Sequence, residues 1–404
     1  MLVRALKDAL TVGKTKGKVL IILGCRQLLP PELEREFVLM EFNLPDREAL
    51  GTVLDGICGS AKLKKPTGDD WERILDAASG LTTAEAENAF ALSIVGVKAV
   101  QAVKVAQEKA STVKRNGLLE LVEVQEGLED IGGLDVLKDW LLKRKDAFSH
   151  KAQAYGLPSL KGLLIVGIPG TGKSLTAKAT ASVFGRPLLK LDAGKLYGSL
   201  VGQSESNLRT VIQTAEAIAP CVLFIDELEK GMAGSKSSGS TDGSTSARIL
   251  GSLLSWLQEK RSQVFVVATA NDVTQLPPEL LRKGRLDELF FIDLPNQAER
   301  ETIWGIQIAK YGHRADQYDI TALAMASEGF TGSEIEQSVI DSLYGSFAEQ
   351  REPGMLDISK ALGETVPLSK LMSEQIAGLR KWAAGRCRMA TSRSAERTGR
   401  KIAA

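Results

Sequence analysis

Phosphate chemistry is the first thing offered by the run Gly167-Ile168-Pro169-Gly170-Thr171-Gly172-Lys173-Ser174. Closely spaced glycines let successive backbone N–H groups turn inward on an anion, a lysine at the end of the loop reaches the β- and γ-phosphates, and the adjoining hydroxyl can ligate Mg²⁺. The residues expected to hold a nucleoside triphosphate are therefore Gly167, Pro169, Gly170, Thr171, Gly172, Lys173, Ser174 and Leu175. Binding alone would leave hydrolysis open. Asp226-Glu227 supplies the two carboxylates that hydrolysis needs: Asp226 to hold Mg²⁺ through water, beside Ser174, and Glu227 to polarise the attacking water.

These groups can act together only if the fold carries them to one edge. Leu163-Leu164-Ile165-Val166 precedes the glycine loop and Val222-Leu223-Phe224-Ile225 precedes the acids, and both are continuous apolar runs. That is the pattern of strands buried on both faces of a parallel sheet. The loop and the acids then stand at the carboxyl ends of their strands, where such sheets bind ligands. A helix is expected from near Leu175. A third run, Val264-Phe265-Val266-Val267-Ala268, leads into Thr269-Ala270-Asn271 and then Leu281-Arg282-Lys283-Gly284-Arg285-Leu286-Asp287.

In this order the motifs resemble the AAA clade of AAA+ ATPases, the third run and its arginines being similar to the clade's second region of homology. Asp130-Ile131-Gly132-Gly133, Gly202-Gln203-Ser204-Glu205-Ser206-Asn207-Leu208-Arg209 and Gly329-Phe330-Thr331-Gly332-Ser333-Glu334 match in the same order. The resemblance implies ATP as the nucleotide, Asn271 as a sensor orienting the attacking water, and Ile131 and Gly132 as lining of the adenine pocket. It also implies that Arg282 and Arg285 are fingers reaching into a neighbouring subunit's site, where a guanidinium stabilises charge developing on the γ-phosphate. A homo-oligomer follows, with a hexamer favoured.

Several positions depart from the family pattern. Ile168 and Ser174 replace the usual proline and threonine, and both are compatible with phosphate binding. Leu286-Asp287 replaces phenylalanine-aspartate, and Glu288 stands where arginine is common, reversing a charge beside the fingers. In Tyr197-Gly198-Ser199-Leu200-Val201-Gly202, Ser199 and Leu200 occupy the places of the lysine and aromatic residue that grip a substrate in the central pore. Leu200, Val201 and Gly202 would form this pore loop by apolar contact alone. The Gly- and Ser-rich stretch from Gly231 to Gly243 reads as a surface loop, and by position as a second pore loop.

The region before Asp130 repeats the second half. Val19-Leu20-Ile21-Ile22-Leu23, Leu29-Pro30-Pro31-Glu32-Leu33 and Leu44-Pro45 follow the order of Val264 to Ala268, Leu276 to Leu280 and Leu294-Pro295. Gly80-Leu81-Thr82-Thr83-Ala84-Glu85 then matches Gly329 to Glu334. The first copy is three residues shorter where the finger arginines lie, and Arg26 falls near the place of Asn271. It reads as a degenerate module beginning midway, in a chain either naturally short or lacking an N-terminal segment. This two-module plan, with Thr245 to Gly251, Trp256 to Lys260 and Ile376 to Ala383, resembles the AAA proteins encoded in algal plastids and cyanobacteria.

Composition narrows the alternatives. At 404 residues the chain can bury a sizeable core, and a formal net charge of +1 gives no bulk attraction to nucleic acid or membrane. Nucleic acid is not expected as the main partner. Cys25, Cys58, Cys221 and Cys387 are scattered and the histidines are His150 and His313, so no metal cluster is expected and the usage fits a reducing compartment. Met1-Leu2-Val3-Arg4 is followed by Lys7 and Asp8, unlike a signal peptide. The apolar stretch from Ala89 to Ala106 carries Lys98, Gln101 and Lys104 and reads as an amphipathic helix, not a membrane span.

The expected architecture is an α/β P-loop fold: a degenerate partial module over 1–115, an ATPase core over 116–298, a helical lid over 299–385 and a basic, disordered tail over 386–404. The expected location is the cytoplasm, or the stroma for a plastid-encoded chain. The expected function is ATP hydrolysis coupled to remodelling of a protein client whose identity is unknown. The alternatives are a nucleotide-gated scaffold and, last, a DNA-directed motor.

Overall fold

The apolar runs become the central strands of one sheet in the computed structural model, which describes residues 2–22, 33, 36–38, 44–95, 97, 99–111, 117–196, 203–230, 242–276, 278–282 and 284–392. The strands are β1 (Leu119–Val122), β2 (Gly162–Gly167), β3 (Leu188–Asp192), β4 (Cys221–Asp226), β5 (Val264–Ala270), β6 (Glu288–Ile292) and β7 (Arg388–Met389). Their order is β1-β3-β4-β5-β2-β6-β7, and every pairing is parallel except β1 with β3. β2 is central, so the chain leaves it toward β3–β5 on one side and later returns to β6 on the other. This reversal creates a crevice at the carboxyl edge.

Residues 1–44 and 45–404 are two separate compact units. The first contains α1 (Leu2–Thr15) and an ion pair between Lys14 and Glu36 at 2.7 Å. Val19, Leu20, Ile21 and Ile22, which repeat the order of the Val264 to Ala268 run, are outside any ladder and exposed, and Leu23 lies outside the described residues. A buried strand needs neighbours to take its backbone N–H and C=O groups. Among the described residues, all strands of the sheet come from residue 119 onward.

In the second unit, α2 (Arg47–Ser60), α3 (Asp69–Ala78), α4 (Thr83–Ser93) and α5 (Ala102–Ser111) pack around Leu54, Ile74 and Phe90. The stretch from Ala89 to Ala106 is thus not one helix: α4 ends at Ser93 and α5 begins at Ala102. Ile94, Val95, Gly96 and Val97 are poor helix formers, and Ser93 turns its hydroxyl back to the Phe90 carbonyl at 2.7 Å.

Helices α6 (Asp135–Leu142), α7 (His150–Ala154), α8 (Lys173–Phe184), α9 (Ala193–Leu196), α10 (Gln203–Ile218) and α11 (Asp242–Glu259) complete the core. Alternation along each strand divides the interior in two. Leu163 and Ile165 face the side covered by α6 and α8, while Leu164 and Val166 face α10 and α11. The lid comprises α12 (Gln297–Lys310), α13 (Ile320–Ala326), α14 (Gly332–Ala348) and α15 (Met355–Glu364), followed by α16 (Leu368–Leu371) and α17 (Ser373–Ala383).

The two helical regions repeat one plan. α2–α3, α2–α4, α3–α5 and α4–α5 touch as α12–α13, α12–α14, α13–α15 and α14–α15 do. α4 and α14 both begin with a capping box, Thr82 with Glu85 and Thr331 with Glu334, after glycines at φ +86° and +80°. The tail departs from expectation. Arg388–Met389 joins the sheet beside β6, and Ala390 is buried, its N–H donating to the Phe291 carbonyl at 2.9 Å. The free edge of β6 supplies the pairing that the basic composition did not announce.

Candidate active site

The glycine loop leaves β2 and closes directly on α8. Gly170 and Gly172 take φ of +78° and +87°, a left-handed conformation that only glycine adopts cheaply. A Cβ on Gly170 would also lie 2.9 Å from Thr331 Oγ1. The loop backbone therefore frames the amino end of a twelve-residue helix, a natural anion site. Lys173 is buried, with Nζ donating to the carbonyls of Gly167 at 2.9 Å and Ile168 at 2.7 Å. Burial pushes its ammonium down to about 8 against the attraction of Glu229, Asp226 and Glu227. Ser174 stands exposed beside it on the rim of the cleft.

β4 and β5 deliver the acids through one shared hydroxyl. Thr269, buried on β5, donates Oγ1–H to Asp226 Oδ1 at 2.7 Å and accepts the Glu227 N–H at 3.0 Å. Glu227 has φ +49°, which turns its side chain away from the strand direction. Its carboxylate accepts Asn271 Nδ2–H at 3.0 Å on Oε1 and pairs with Lys230 on Oε2. Asn271 is held by its own N–H, which donates to Glu229 Oε1 at 2.8 Å. Burial raises the Glu229 carboxyl, opposed by hydrogen bonds from the 271–272 backbone. Lys190 lies 3.6 Å from Asp226 Oδ2.

Loop, acids and Asn271 open onto one cleft of about 1130 Å³. Its far end is apolar: Ile131, Gly132 and Ile303 lie together, so close that a Cβ on Gly132 would meet Ile303 Cγ1 at 2.3 Å. Gln307 Oε1 lines this end as a buried acceptor without a partner, and Asn271 Oδ1 is the same at the acid end. The lid reaches the loop at the amino end of α14, where the Ser333 N–H donates to the Gly170 carbonyl at 3.1 Å.

These features fit a nucleoside triphosphate with Mg²⁺. Backbone N–H groups and Lys173 match the phosphates, and the apolar end with an unpaired acceptor matches a base bearing an amino group. The Ser174 hydroxyl and the Asp226 carboxylate are hard oxygen donors of the kind that take one or two places around Mg²⁺.

Of the residues singled out in the sequence, Gly170, Gly172, Lys173, Ser174, Leu175, Pro169, Thr171, Asp226, Glu227, Asn271, Ile131 and Gly132 all line this cleft. Gly167 lies beneath it, its carbonyl on Lys173. Arg282 and Arg285 do not line it: Arg282 is exposed, and Arg285 is half-buried with Nη1 donating to the Glu279 carbonyl at 2.5 Å. Leu200, Val201 and Gly202, and most of the Gly231 to Gly243 stretch, lie outside the described residues. Glu288 finds a plain structural partner in Arg388 of β7, at 3.6 Å. Sequence reasoning missed Thr269, Lys230, Gln307 and Ser333. Thr269 left a signal, a hydroxyl within an otherwise apolar strand, and Ser333 lay within the matched Gly329 to Glu334 motif without being singled out.

Comparison with known proteins agrees with this geometry. Residues 163–294 match the model of the ATPase family associated with various cellular activities (AAA), and residues 48–116 match that of the SpoVK-like AAA ATPase, second domain. The chain is 42% identical to an uncharacterized AAA domain-containing protein, ycf46, of Trieres chinensis, over 96% of this chain and 79% of that protein. It is 41% identical to ycf46 of Pyropia yezoensis, over 97% of this chain and 80% of that one. A cell division cycle protein 48 homolog of Archaeoglobus fulgidus is 32% identical over 60% of this chain and 33% of its own length. With its glycine loop, acid pair and lid in the AAA order, the chain belongs to the AAA ATPase family, alongside the ycf46 proteins.

Proposed function

We propose that the protein hydrolyses ATP. The observation that carries this is the meeting of Lys173, Asp226, Glu227 and Asn271 at the carboxyl edge of β2, β4 and β5. Lys173 and the loop N–H groups bind the phosphates, and Ser174 and Asp226 would hold Mg²⁺, which would supply charge neutralisation at the phosphates. Glu227 takes the proton of the attacking water, and Asn271 keeps that carboxylate oriented through its Nδ2–H. Glu227→Gln should bind ATP yet hydrolyse it at least 100-fold more slowly, whereas Lys173→Ala should lose binding. Nucleotide affinity and phosphate release measure both, and turnover like that of the wild type in both variants refutes the assignment.

The finer reading is a ring, hexameric by preference, that remodels a protein client. The position of Arg282 and Arg285 away from their own cleft supports action on a neighbour's nucleotide. The protein would work in the cytoplasm, or in the stroma of a plastid that encodes it; among the described residues no helix is long and apolar enough to cross a membrane. Ser199 and Leu200, in place of a lysine and an aromatic residue, favour a second reading, a nucleotide-gated scaffold without threading. Residues 1–115 are read as a degenerate partial module that contributes no nucleotide chemistry.

A further inference from the structure

The segment after the lid crosses the junction between lid and core and meets the base-binding end of the cleft. Arg388–Met389 pairs with β6, and the Ala390 carbonyl accepts the Leu137 N–H of α6 at 3.1 Å. Ser392 N–H donates to Asp135 Oδ1 at 2.8 Å, and Thr391 Oγ1–H donates to Glu299 Oε1 at 2.6 Å. Glu299 is the link. It lies on the first turn of α12, only 9% exposed, and its other oxygen accepts the Asn296 N–H at 2.9 Å where the lid begins. Its Oε1 also accepts the Leu134 N–H at 3.2 Å, at the end of the Ile131–Leu134 loop.

That loop has no slack. Leu134 has φ +57°, and a Cβ on Gly133 would lie 2.1 Å from Glu299 Oε1. The backbone of the base loop therefore rests on Glu299 and Ile303, and any shift of the Glu299 carboxylate moves the loop with it. The Leu134 amide and the Thr391 hydroxyl share Oε1. A buried carboxylate that loses a donor must find another or move.

We propose that residues Arg388–Ser392 are a strap that sets the base-binding end of the nucleotide site, with Thr391 a positioning residue acting through Glu299. The strap selects for the base and not for the phosphates, whose loop is touched by Thr331 and Ser333 at the start of α14 while Gly132 and Gly133 rest on Ile303 and Glu299 of α12. It also ties the lid's first helix to β6 and α6, so lid rotation and base binding are coupled through one carboxylate.

This inference rests on the ATP reading, and full-length variants separate the two. Thr391→Val keeps the shape and removes the hydroxyl, Thr391→Ser restores it, and Ala390→Pro removes the N–H that bonds Phe291 and so releases the strap. The expected result for Thr391→Val is an ATP Kd raised about tenfold, equivalent to ~1.4 kcal/mol, with kcat within twofold. Thr391→Ser should match the wild type, and Ala390→Pro should exceed Thr391→Val. Inorganic tripolyphosphate, which has no base, should bind all four proteins within twofold. Hydrogen exchange at the Leu134 amide should speed up in Thr391→Val without any nucleotide. Unchanged ATP affinity and unchanged Leu134 exchange in both Thr391→Val and Ala390→Pro overturn the strap, as does an equal loss of tripolyphosphate binding. Failure of the wild type to bind ATP would overturn the ATP reading instead, and the exchange result would still decide the strap.

Discussion

Thr269→Val is the most direct test of how the acids are held. Thr269 is 1% exposed and its hydroxyl makes two bonds, to Asp226 Oδ1 at 2.7 Å and from the Glu227 N–H at 3.0 Å. Valine has nearly the same shape, so the change leaves the Glu227 N–H without its acceptor and deprives a carboxylate of a donor. A buried unpaired donor costs ~1–3 kcal/mol, and a hydrogen bond to a charged group contributes ~1.5–3 kcal/mol. Extra methyl burial returns ~0.8 kcal/mol, so a loss of about 2–5 kcal/mol in unfolding free energy is expected. Catalysis should suffer more than binding. Glu227 is kept in the left-handed region by this bond, and misplacement of a reacting group by about 1 Å can cost ~100-fold. We expect kcat to fall about 10- to 100-fold, with the ATP Kd within about threefold and Thr269→Ser near wild type. Phosphate release, nucleotide titration and denaturant unfolding supply the three numbers. A Thr269→Val enzyme with normal kcat and lowered stability would refute the reasoning, since the hydroxyl would then be structural only.

Other consequences follow from the loop and its neighbours. Lys173 is held down to about 8 by burial, from an ordinary 10.5, so its charged form destabilises the folded state fully below about pH 8, and that cost is relieved as pH rises from there toward 10.5. Phosphate restores the charged form, so ATP binding at pH 8.5 should take up a large fraction of one proton and binding at pH 6.5 almost none. Calorimetry in buffers of different ionisation heat reads this, and equal uptake at both values would contradict it. Gly170→Ala should weaken ATP at least tenfold, because a left-handed backbone and the Thr331 hydroxyl both oppose a Cβ; an unchanged titration counts against the loop geometry. Arg285→Ala should turn over slowly and recover part of its activity when mixed with Lys173→Ala, whereas strictly additive rates would exclude action between subunits.

Much of the site was legible because its supporting strands are buried on both faces. Such strands must be continuously apolar, so β2, β4 and β5 and the groups at their carboxyl ends can be read directly. What the sequence hid was of three physical kinds. Thr269 is an ordinary β-former by type, and only its register beside Asp226 makes it a bridge. Val19 to Ile22 has the composition of a strand, but composition cannot show whether neighbours exist to pair with it. The Arg388–Ser392 strap is too short for any periodicity and sits among arginines, so its order depends on the open edge of β6. Glu288, which by comparison looked like a charge reversal near the fingers, is explained by the same strand through Arg388.

The two helical repeats show how one local design comes to serve different ends. In the second, the capped corner at Thr331 lies on the phosphate loop, with a Gly170 Cβ position 2.9 Å from its hydroxyl. In the first, the equivalent corner packs on the end of α10, where a Cβ on Gly80 would meet the Ala217 carbonyl at 2.4 Å. Beside it the buried Lys109 donates to the carbonyls of Ser79 and, at 2.9 Å, Ala219. Ala219 stands two residues before β4, the strand that ends in Asp226. The glycine and capping box are local requirements of a helix start and persist in both copies, while the surface they touch is set by tertiary packing. In the first copy that surface is the root of the strand that ends in Asp226, so the corner braces the sheet there instead of lying on the glycine loop.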